Sequence, residues 1–429
     1  MLDPDQVAPL SDAQETLLRQ QEITRERPGP ILQDVDMMLD CVGEDGLRVS
    51  ASRGTIYTKV LPDINERLSY SLTTEYDRLT QTAFPTIAGL NLLLRAAGLV
   101  RIDRTGTHPH MRLNESVVAS WHDLNSTEQY MSLLEAWLNR ADEDAIFEKS
   151  GRSFMSSLIG VLTFIQDIPP TGWAPDDGEL KSVVRYRPGS ANLALMWLFG
   201  LVDLEQRGTA AGQPWRIDRI ALPAFGKTLL RRLGHALSQK QEAVRAEQPP
   251  EQWWDFDVGQ MRFTRDELHH ILAPYFPEWD SHLSGPHEAF RPDVHVFEVQ
   301  LYDACRWRVA VPGSATLHEL SECLLSAARF DREHLYQFLY EDPYGHEQTV
   351  NDGNPYGLQE PPFADEVEVG ELPLAPGETM TFLYDLGDRW RFECTLDTVG
   401  ADEEAVDAPA EMDAEGDPPE QYSGSDGWR

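Results

Sequence analysis

The stretch Tyr384-Asp385-Leu386-Gly387-Asp388-Arg389-Trp390 joins two segments in which apolar and polar residues alternate. In residues 379–385 and 389–396, every second side chain is apolar or aromatic: Met380, Phe382, Tyr384, Trp390, Phe392, Cys394 and Leu396. Such alternation predicts two half-buried strands. The pair Gly387-Asp388 between them fits the central positions of a type II′ turn. We therefore predict a β-hairpin whose turn carries two carboxylates.

Three further strands and one helix are predicted on the N-terminal side of this hairpin. Residues 297–301, 306–311 and 334–340 alternate in the same way. Between the second and third of these strands, Thr316 is followed three residues later by Glu319, a capping box that starts a helix. The predicted order is β-β-α-β-loop-β-β, a small C-terminal α+β roll.

Four separated blocks in this region resemble the plasmid pRiA4b ORF-3-like family, found in plasmid-borne and transposon passenger proteins. The blocks are Val311-Pro312-Gly313 with Thr316 to Leu320, His334 to Phe338, Val369 to Leu372, and Tyr384 to Trp390. Tyr336 and Phe392 stand where the family often has histidine, so His334 alone is kept. The resemblance implies an uncharacterised accessory protein and supplies no catalytic residue.

The N-terminal region is predicted to be mainly helical, with two winged-helix-like units. In each unit, an apolar helix is stopped by a glycine (Gly98 or Gly200) and followed by the pattern Gly-Leu-Val-x-Ile/Leu. The predicted division is a polar segment (1–30), a first winged-helix-like region (31–150), a second winged-helix-like unit (151–245), a linker with a short helix (246–292), the α+β domain (293–399) and an acidic disordered tail (400–429).

The charge is strongly acidic and unevenly distributed. The chain of 429 residues has a formal net charge of −36, and residues 401–429 carry 10 acidic side chains with Arg429 as their only cation. Such a field repels nucleic-acid phosphates. The sequence contains no run of eighteen apolar residues, so it predicts no membrane span. The four cysteines form no CxxC pair, so we expect reduced thiols in a cytoplasmic protein.

The hairpin turn and the third strand supply the candidate binding residues, which are Asp385, Asp388, Arg389, Trp390, His334 and Tyr340. Three interpretations are open. The two aspartates could cap the turn through its backbone amides, they could form a ligand or partner surface, for example by binding a cation through oxygen ligands, or one of them could serve acid–base catalysis if burial shifts its pKa. We predict no catalytic residue, metal site or cofactor, because no nucleophile, base and oxyanion set is assembled in the sequence.

A possible nucleic-acid contact is the basic cluster Arg216, Arg219, Lys227, Arg231 and Arg232. The helices in the recognition position, residues 86–97 and 190–199, carry few side chains that read bases, and we expect them to be packing helices. The sequence therefore favours a non-catalytic protein-interaction module in an accessory protein associated with mobile elements, with an unidentified protein partner. The alternatives are a winged-helix DNA-associated regulator and a metal-dependent enzyme that uses Asp385 and Asp388.

Overall fold

The computed structural model describes residues 8–51, 53–72, 80–104, 108–141, 157–176, 188–206, 215, 217–247, 262–286, 290–302, 305–342, 344, 347–353, 362–400 and 407–422. The chain forms two compact units, residues 1–285 and 286–429. The first is mainly helical, and the second contains a large antiparallel sheet. In the described part of the chain, no helix has the length and apolar character that a membrane span requires.

The N-terminal unit consists of helices with two small sheets. Its helices are α1 (Asp12–Arg19), α2 (Ile31–Val42), α3 (Leu61–Arg67), α4 (Pro85–Ala96), α5 (Glu115–Asp123), α6 (Ser126–Arg140), α7 (Ser157–Gln166), α8 (Ser190–Leu198), α9 (Ala224–Glu247) and α10 (Arg265–Leu272). The strands β1 (Leu47–Arg48), β2 (Val100–Asp103) and β3 (His110–Leu113) form one sheet in the order β1-β3-β2, while β4 (Asp203–Gln206) pairs with β5 (Ile217–Ala221).

Helices α4 and α8 pack against each other at the centre of this unit. Every residue of α4 is buried, and so is α8 from Ala191 onward. A Cβ atom on Gly89 would lie 2.9 Å from the carbonyl oxygen of Ala191, so glycine permits the close approach. The indole N–H of Trp137 in α6 donates to Asn192 Oδ1 at 2.7 Å. The regions 31–150 and 151–245 therefore contribute to one hydrophobic core and are not two separate domains.

The glycine stops predicted after both apolar helices are confirmed. Gly98 and Gly200 have φ of 72° and 68°, the left-handed conformation that suits glycine at a helix end. The next backbone N–H in each case, from Leu99 and Leu201, returns to the last helical turn at 3.0 and 2.8 Å. A strand pair follows each stop, β2–β3 and β4–β5, as expected. The predicted turns at 105–107 and 208–212 lie outside the described residues.

The described part of the predicted linker belongs to the N-terminal unit. After the gap at 248–261, α10 and the segment behind it bury a series of apolar side chains in the core, namely Phe263, Leu268, Leu272, Tyr275, Phe276, Trp279 and Leu283. Hydrogen bonds join this segment to α6, including the one that the Ser281 backbone N–H donates to the side-chain Oε1 of Glu128 at 2.8 Å. The prediction of a linker over 246–292 was therefore wrong for residues 262–285, because the aromatic side chains there are core residues.

The C-terminal unit contains a seven-stranded antiparallel sheet. Its strands are β6 (Val294–Leu301), β7 (Cys305–Pro312), β8 (Tyr336–Glu341), β9 (Glu347–Asn351), β10 (Thr379–Tyr384), β11 (Trp390–Gly400) and β12 (Ala410–Gly416), in the spatial order β12-β7-β6-β11-β10-β8-β9. Helix α11 (Leu317–Ala328) lies between β7 and β8 in the chain. The five predicted strands and the helix are present in the predicted order, and β9 and β12 are additional.

One face of the sheet packs against α11. Leu317, Leu320 and Leu324 of the helix share a core with strand residues such as Phe297, Val299, Trp307, Phe338, Phe382 and Phe392. The capping box at the start of α11 is confirmed. Thr316 N–H donates to Glu319 Oε2 at 2.8 Å, and Glu319 N–H donates to Thr316 Oγ1 at 3.2 Å.

The acidic tail is ordered where it forms β12, which corrects the prediction of disorder over 400–429. β12 pairs antiparallel with β7, from Ala410 opposite Ala310 to Gly416 opposite Cys305. Its side chains from Glu411 to Gly416 are exposed. The strand therefore depends on backbone hydrogen bonds rather than on apolar burial, and composition alone gives no sign of it.

Candidate functional site

The loop between β10 and β11 is longer than the predicted two-residue turn. The last strand pair is Tyr384 opposite Trp390, which leaves five loop residues, and the φ angles of Asp385 and Arg389 are 51° and 59°. Gly387 does not have the positive φ of a type II′ turn. The Asp385 carboxylate organises the longer loop, because its Oδ1 accepts the N–H of Gly387 at 2.9 Å and of Asp388 at 3.3 Å. The capping interpretation is thus confirmed for Asp385.

The segment that precedes β8 brings His334 to this loop. His334 Nδ1 lies 3.5 Å from Asp385 Oδ2, and the imidazole stands edge-on to the Tyr384 ring with 6.0 Å between centroids. The reason is the sheet register, in which Tyr336 pairs with Tyr384. The structure therefore brings together the histidine and the hairpin carboxylate that the sequence had grouped.

Asp331 lies at the centre of the same cluster. Its carboxylate accepts the Tyr384 hydroxyl at 2.7 Å, the Gln421 side-chain amide at 3.0 Å, and the Tyr422 hydroxyl. The Tyr422 hydroxyl also lies 3.1 Å from His334 Nε2. The C-terminal segment therefore returns to the hairpin end of the sheet and attaches there through two polar side chains.

These hydrogen bonds change the acidity of their members. Burial opposes the effect, but the donors Tyr422, Tyr384 and Gln421 hold the pKa of Asp331 well below its usual range. The hydrogen bond to Asp331 raises the pKa of Tyr422 to about 12. Burial, followed by the hydrogen bond to Asp331, raises the pKa of Tyr384. The cluster is therefore an ionised carboxylate surrounded by neutral phenols.

Trp390, one of the predicted binding residues, is half-buried. Its ring stands edge-on to Phe330, 4.8 Å between centroids, and to Tyr302, 5.8 Å between centroids. Tyr302 is 50% exposed. The buried indole N–H of Trp390 has no acceptor among the described residues. Trp390 and Tyr302 therefore form one aromatic surface, in which Trp390 is half-buried and Tyr302 is exposed.

Tyr340 does not belong to this cluster. It lies six residues beyond His334, near the end of β8, where it pairs with Gln348 of β9. At about 3.3 Å per residue the separation from His334 is on the order of 20 Å. The structure thus separates Tyr340 from the other predicted site residues. Asp388 and Arg389 are exposed on the loop itself.

The cluster suits binding better than acid–base chemistry. A carboxylate stabilised by three donors is a weak base, which disfavours Asp331 as a proton acceptor. Within the ranges that the structure describes, no three His, Cys, Asp or Glu side chains are placed to hold a metal ion. The proposal of a metal-dependent enzyme based on Asp385 and Asp388 thus gains no support from the geometry.

The basic cluster of the N-terminal unit is partly engaged in internal contacts. Arg219 donates to Glu205 at 3.1 Å and to the Thr171 carbonyl at 2.7 Å. Arg231 Nε donates to the Ala8 carbonyl at 3.1 Å. Lys227 is exposed and Arg232 is half-buried. Arg216 lies outside the described residues.

Sequence reasoning missed Asp331, Tyr302 and Tyr422. Asp331 and Tyr302 lie beyond the ends of predicted elements and carry no periodic signal. Tyr422 offered one signal, since it is an aromatic residue in an acidic segment that is otherwise almost free of aromatics. An aromatic residue in such a segment is a candidate anchor.

Two of the four sequence blocks have a structural role at the opposite end of the sheet. A Cβ atom on Gly313 would lie 2.1 Å from the Arg291 carbonyl oxygen, and one on Gly370 would lie 2.5 Å from it. Gly370 N–H donates to the Gly313 carbonyl at 2.7 Å. The blocks at 311–313 and 369–372 therefore pack their backbones closely against Arg291 and against each other. Those at 334–338 and 384–390 contribute to the hairpin end of the sheet.

Comparison with known proteins agrees with the resemblance in this region. Residues 294–429 match the model of the family described as plasmid pRiA4b ORF-3-like protein. Among solved structures, a protein of unknown function from Methanosarcina mazei Go1 is similar at 16% identity, over 30% of this chain and 72% of that chain, with a TM-score of 0.26. That likeness supports no functional inference. No curated protein matches the chain.

Proposed function

From a C-terminal region that matches the plasmid pRiA4b ORF-3-like family, we propose that this protein is a non-catalytic protein-interaction module. The proposed binding surface, called here the hairpin-end surface, consists of Asp331, His334, Asp385, Asp388, Arg389, Trp390 and Tyr302. The observation that carries the proposal is that Tyr422, from the chain's own C-terminal segment, is hydrogen-bonded to Asp331 and close to His334. A segment of the chain itself already uses this surface.

The chemistry of the surface indicates what a partner would present. Asp331 accepts hydrogen bonds from a phenol and an amide, so tyrosine and glutamine side chains suit it. Beside it, Tyr302 and Trp390 offer aromatic area of the kind that is enriched in protein interfaces. Exposed Leu386 at the tip of the loop adds an apolar contact. We infer a partner segment with one or more aromatic side chains.

Site-specific photo-crosslinking in the native host tests the proposal. A photoreactive amino acid replaces Leu386 in the full-length protein, and captured proteins are identified by mass spectrometry. The matched control carries the same amino acid at Tyr57, which is comparably exposed in the N-terminal unit. We expect a partner that is captured only at position 386 and is lost when His334→Ala and Tyr302→Ser are introduced. Identical captures at both positions, or capture unaffected by these substitutions, would refute the proposal.

We further propose a cytoplasmic accessory role associated with mobile elements. The family description supports the association with plasmids. All four cysteines are free thiols, which fits a reducing compartment.

The second candidate, a winged-helix DNA-associated regulator, is weaker. The order helix, strand, strand after α4 and after α8 supports the winged-helix comparison. Both helices are buried, however, so neither presents side chains to a DNA groove. An electrophoretic shift assay at low salt decides the matter, and we expect no retardation at micromolar protein.

A further inference from the structure

Among the described residues, the strand that pairs with the outer edge of β7 is the tail strand β12. All seven β12 residues are paired or bulged opposite β7, yet every residue from Glu411 to Gly416 is exposed. None of them belongs to the hydrophobic core of the C-terminal unit. Because apolar burial contributes little, the strand is held mainly by a solvent-exposed backbone ladder and by charge.

On this edge, acidic residues of β12 lie opposite arginines of β7, and Arg308 has a second acidic neighbour, because its Nη2 donates to Asp397 Oδ2 of β11 at 3.1 Å. Asp413 of β12 lies directly opposite Arg308 of β7, and Glu415 lies opposite Arg306. Directly opposed residues in antiparallel strands have closely spaced side chains, so opposite charges stabilise the pairing. The β7 edge therefore favours a strand with acidic residues at alternate positions.

The other face of β12 is not matched in this way. A register shift between Glu411 and Asp413 leaves Met412 as the extra residue, and Glu411 lines a groove of about 560 Å³ between α11 and the tail. Glu319 and Glu322 of α11 line the same groove. Burial and the Glu411 charge both raise the pKa of Cys323 there. Glu411 thus adds a negative charge to a groove that two carboxylates of α11 already line.

We propose that the β7 edge is a docking site for an extended segment of a partner protein, and that β12 is its intramolecular occupant, displaced when the partner binds. The charge register specifies the partner strand. It carries acidic residues opposite Arg306 and Arg308, and a neutral or basic side chain on the face that looks into the groove. Strand addition of this kind draws its affinity from main-chain hydrogen bonds and its specificity from alternate side chains.

The tail is a natural competitor because it is tethered. Nine residues, 401–409, separate the end of β11 from the start of β12. A short tether gives an effective concentration on the order of millimolar, so only a better-matched strand displaces the tail. The site does not involve the hairpin-end surface, so either proposal can fail while the other stands.

Two substitutions of equal charge test the register in the full-length protein. Asp413→Lys reverses a matched charge, whereas Glu411→Lys places a cation in the acidic groove. The measurement is hydrogen exchange of the backbone amides in residues 410–416. We expect Asp413→Lys to accelerate this exchange about five- to tenfold, which corresponds to the size of cross-strand charge pairs. Glu411→Lys is expected to slow it. If both substitutions change exchange in the same direction, the edge responds only to net charge and the proposal is wrong.

Binding in trans is tested with the edge vacated. The double substitution Met412→Pro with Asp413→Pro, in the full-length protein, removes the N–H groups of two neighbouring residues of this edge strand and fixes their φ angles, so β12 can no longer pair in its register. The probe is a fluorescent synthetic peptide of residues 407–417, which lacks Gln421 and Tyr422. We expect the double-proline protein to bind it at least about tenfold more tightly than the unmodified protein, given the tethered competitor. A peptide with lysine in place of Asp413 and Glu415 should not bind.

Three outcomes would overturn the proposal. One is no binding of the peptide by a double-proline protein whose circular dichroism is unchanged. Another is equal binding by the modified and unmodified proteins. The third is a wild-type dimer, detected by light scattering, that the double-proline substitution dissociates, because the tail would then occupy the edge of a second copy.

Discussion

Replacing Asp385 tests how the hairpin loop is held, because this residue has two separable roles. Its carboxylate accepts the N–H groups of Gly387 and Asp388, at 2.9 and 3.3 Å, and its backbone has a φ of 51°. Alanine removes both hydrogen bonds and is strained at this φ. Asparagine keeps a side-chain oxygen acceptor and tolerates the left-handed conformation. Glycine relieves the backbone strain but has no acceptor.

The structure supplies the expected magnitudes. A net hydrogen bond contributes roughly 0.5–1.5 kcal/mol, and the values in an exposed loop fall at the low end, so the pair contributes about 1 kcal/mol. The left-handed conformation costs alanine about 1 kcal/mol more. We therefore expect Asp385→Ala to lower the free energy of unfolding by about 2 kcal/mol, Asp385→Gly by about 1 kcal/mol, and Asp385→Asn by less than about 0.5 kcal/mol.

Urea unfolding measures these differences, and hydrogen exchange of the β10 and β11 amides locates them. An unchanged slope with urea concentration would show that the substitutions act on stability alone. The result that refutes this account is equal destabilisation by alanine and asparagine, because the charge beside His334 would then outweigh the loop geometry. Equal stability of the glycine variant and the wild type would show that the carboxylate hydrogen bonds contribute nothing.

Four other predictions concern a close backbone contact, the two pH limits of the tail attachment and a buried hydrogen bond. Gly370→Ala should lower the free energy of unfolding, measured with urea, by at least about 3 kcal/mol, because the added Cβ would lie 2.5 Å from a backbone carbonyl oxygen. Gly353→Ala is the matched control and should leave the free energy of unfolding unchanged, since a Cβ atom there meets no atom within 4 Å. Tyr422 should keep the tail attached up to about pH 10 and release it as the pH rises through its pKa of about 12, because the phenol ionises at a lower pH when the tail is detached than when it is attached. Ultraviolet titration of tyrosinate measures this pKa. Asp331→Asn should return the pKa of Tyr422 toward 10.0. On the acid side, the stability that Asp331 gives to the tail attachment should be lost as the pH falls below 3.8, the usual pKa of an aspartate, since the pKa of Asp331 is lowered in the folded protein. Hydrogen exchange of the tail amides should then accelerate relative to the intrinsic rate of an unstructured chain. A relative exchange rate independent of pH in this range would contradict the role of Asp331. Asn192→Ala should lower the stability of the N-terminal unit in urea unfolding by roughly 1–3 kcal/mol, because it leaves the buried Trp137 indole N–H without its acceptor and removes the hydrogen bond that Asn192 Nδ2 donates to the Pro188 carbonyl at 2.9 Å.

Some features were readable from the sequence because local chemistry decides them. Alternation in 297–301 and 306–311 predicts strands whose apolar side chains share one face, and a capping box predicts the start of α11. Gly98 and Gly200 predict helix ends because few other residues adopt a positive φ at such low cost. Each of these signals involves residues within a few positions of one another.

Other features were decided only by contacts between distant parts of the chain. Asp331 meets Tyr422 across 91 positions, and Ala310 of β7 meets the tail at Ala410. The single N-terminal core joins regions that the sequence pattern separates, because their helices are apolar on nearly every side and so do not reveal which face packs against which helix.

The sequence alone determined the antiparallel strands, the one capped helix and the acidity of the tail, because side-chain period and charge are properties of short segments. The tertiary structure alone decided that the tail forms an edge strand and that a tyrosine near its end meets Asp331. Exposed residues held by backbone hydrogen bonds leave no hydrophobic period in the sequence, so their partners are specified only once the sheet edge that pairs with them has formed.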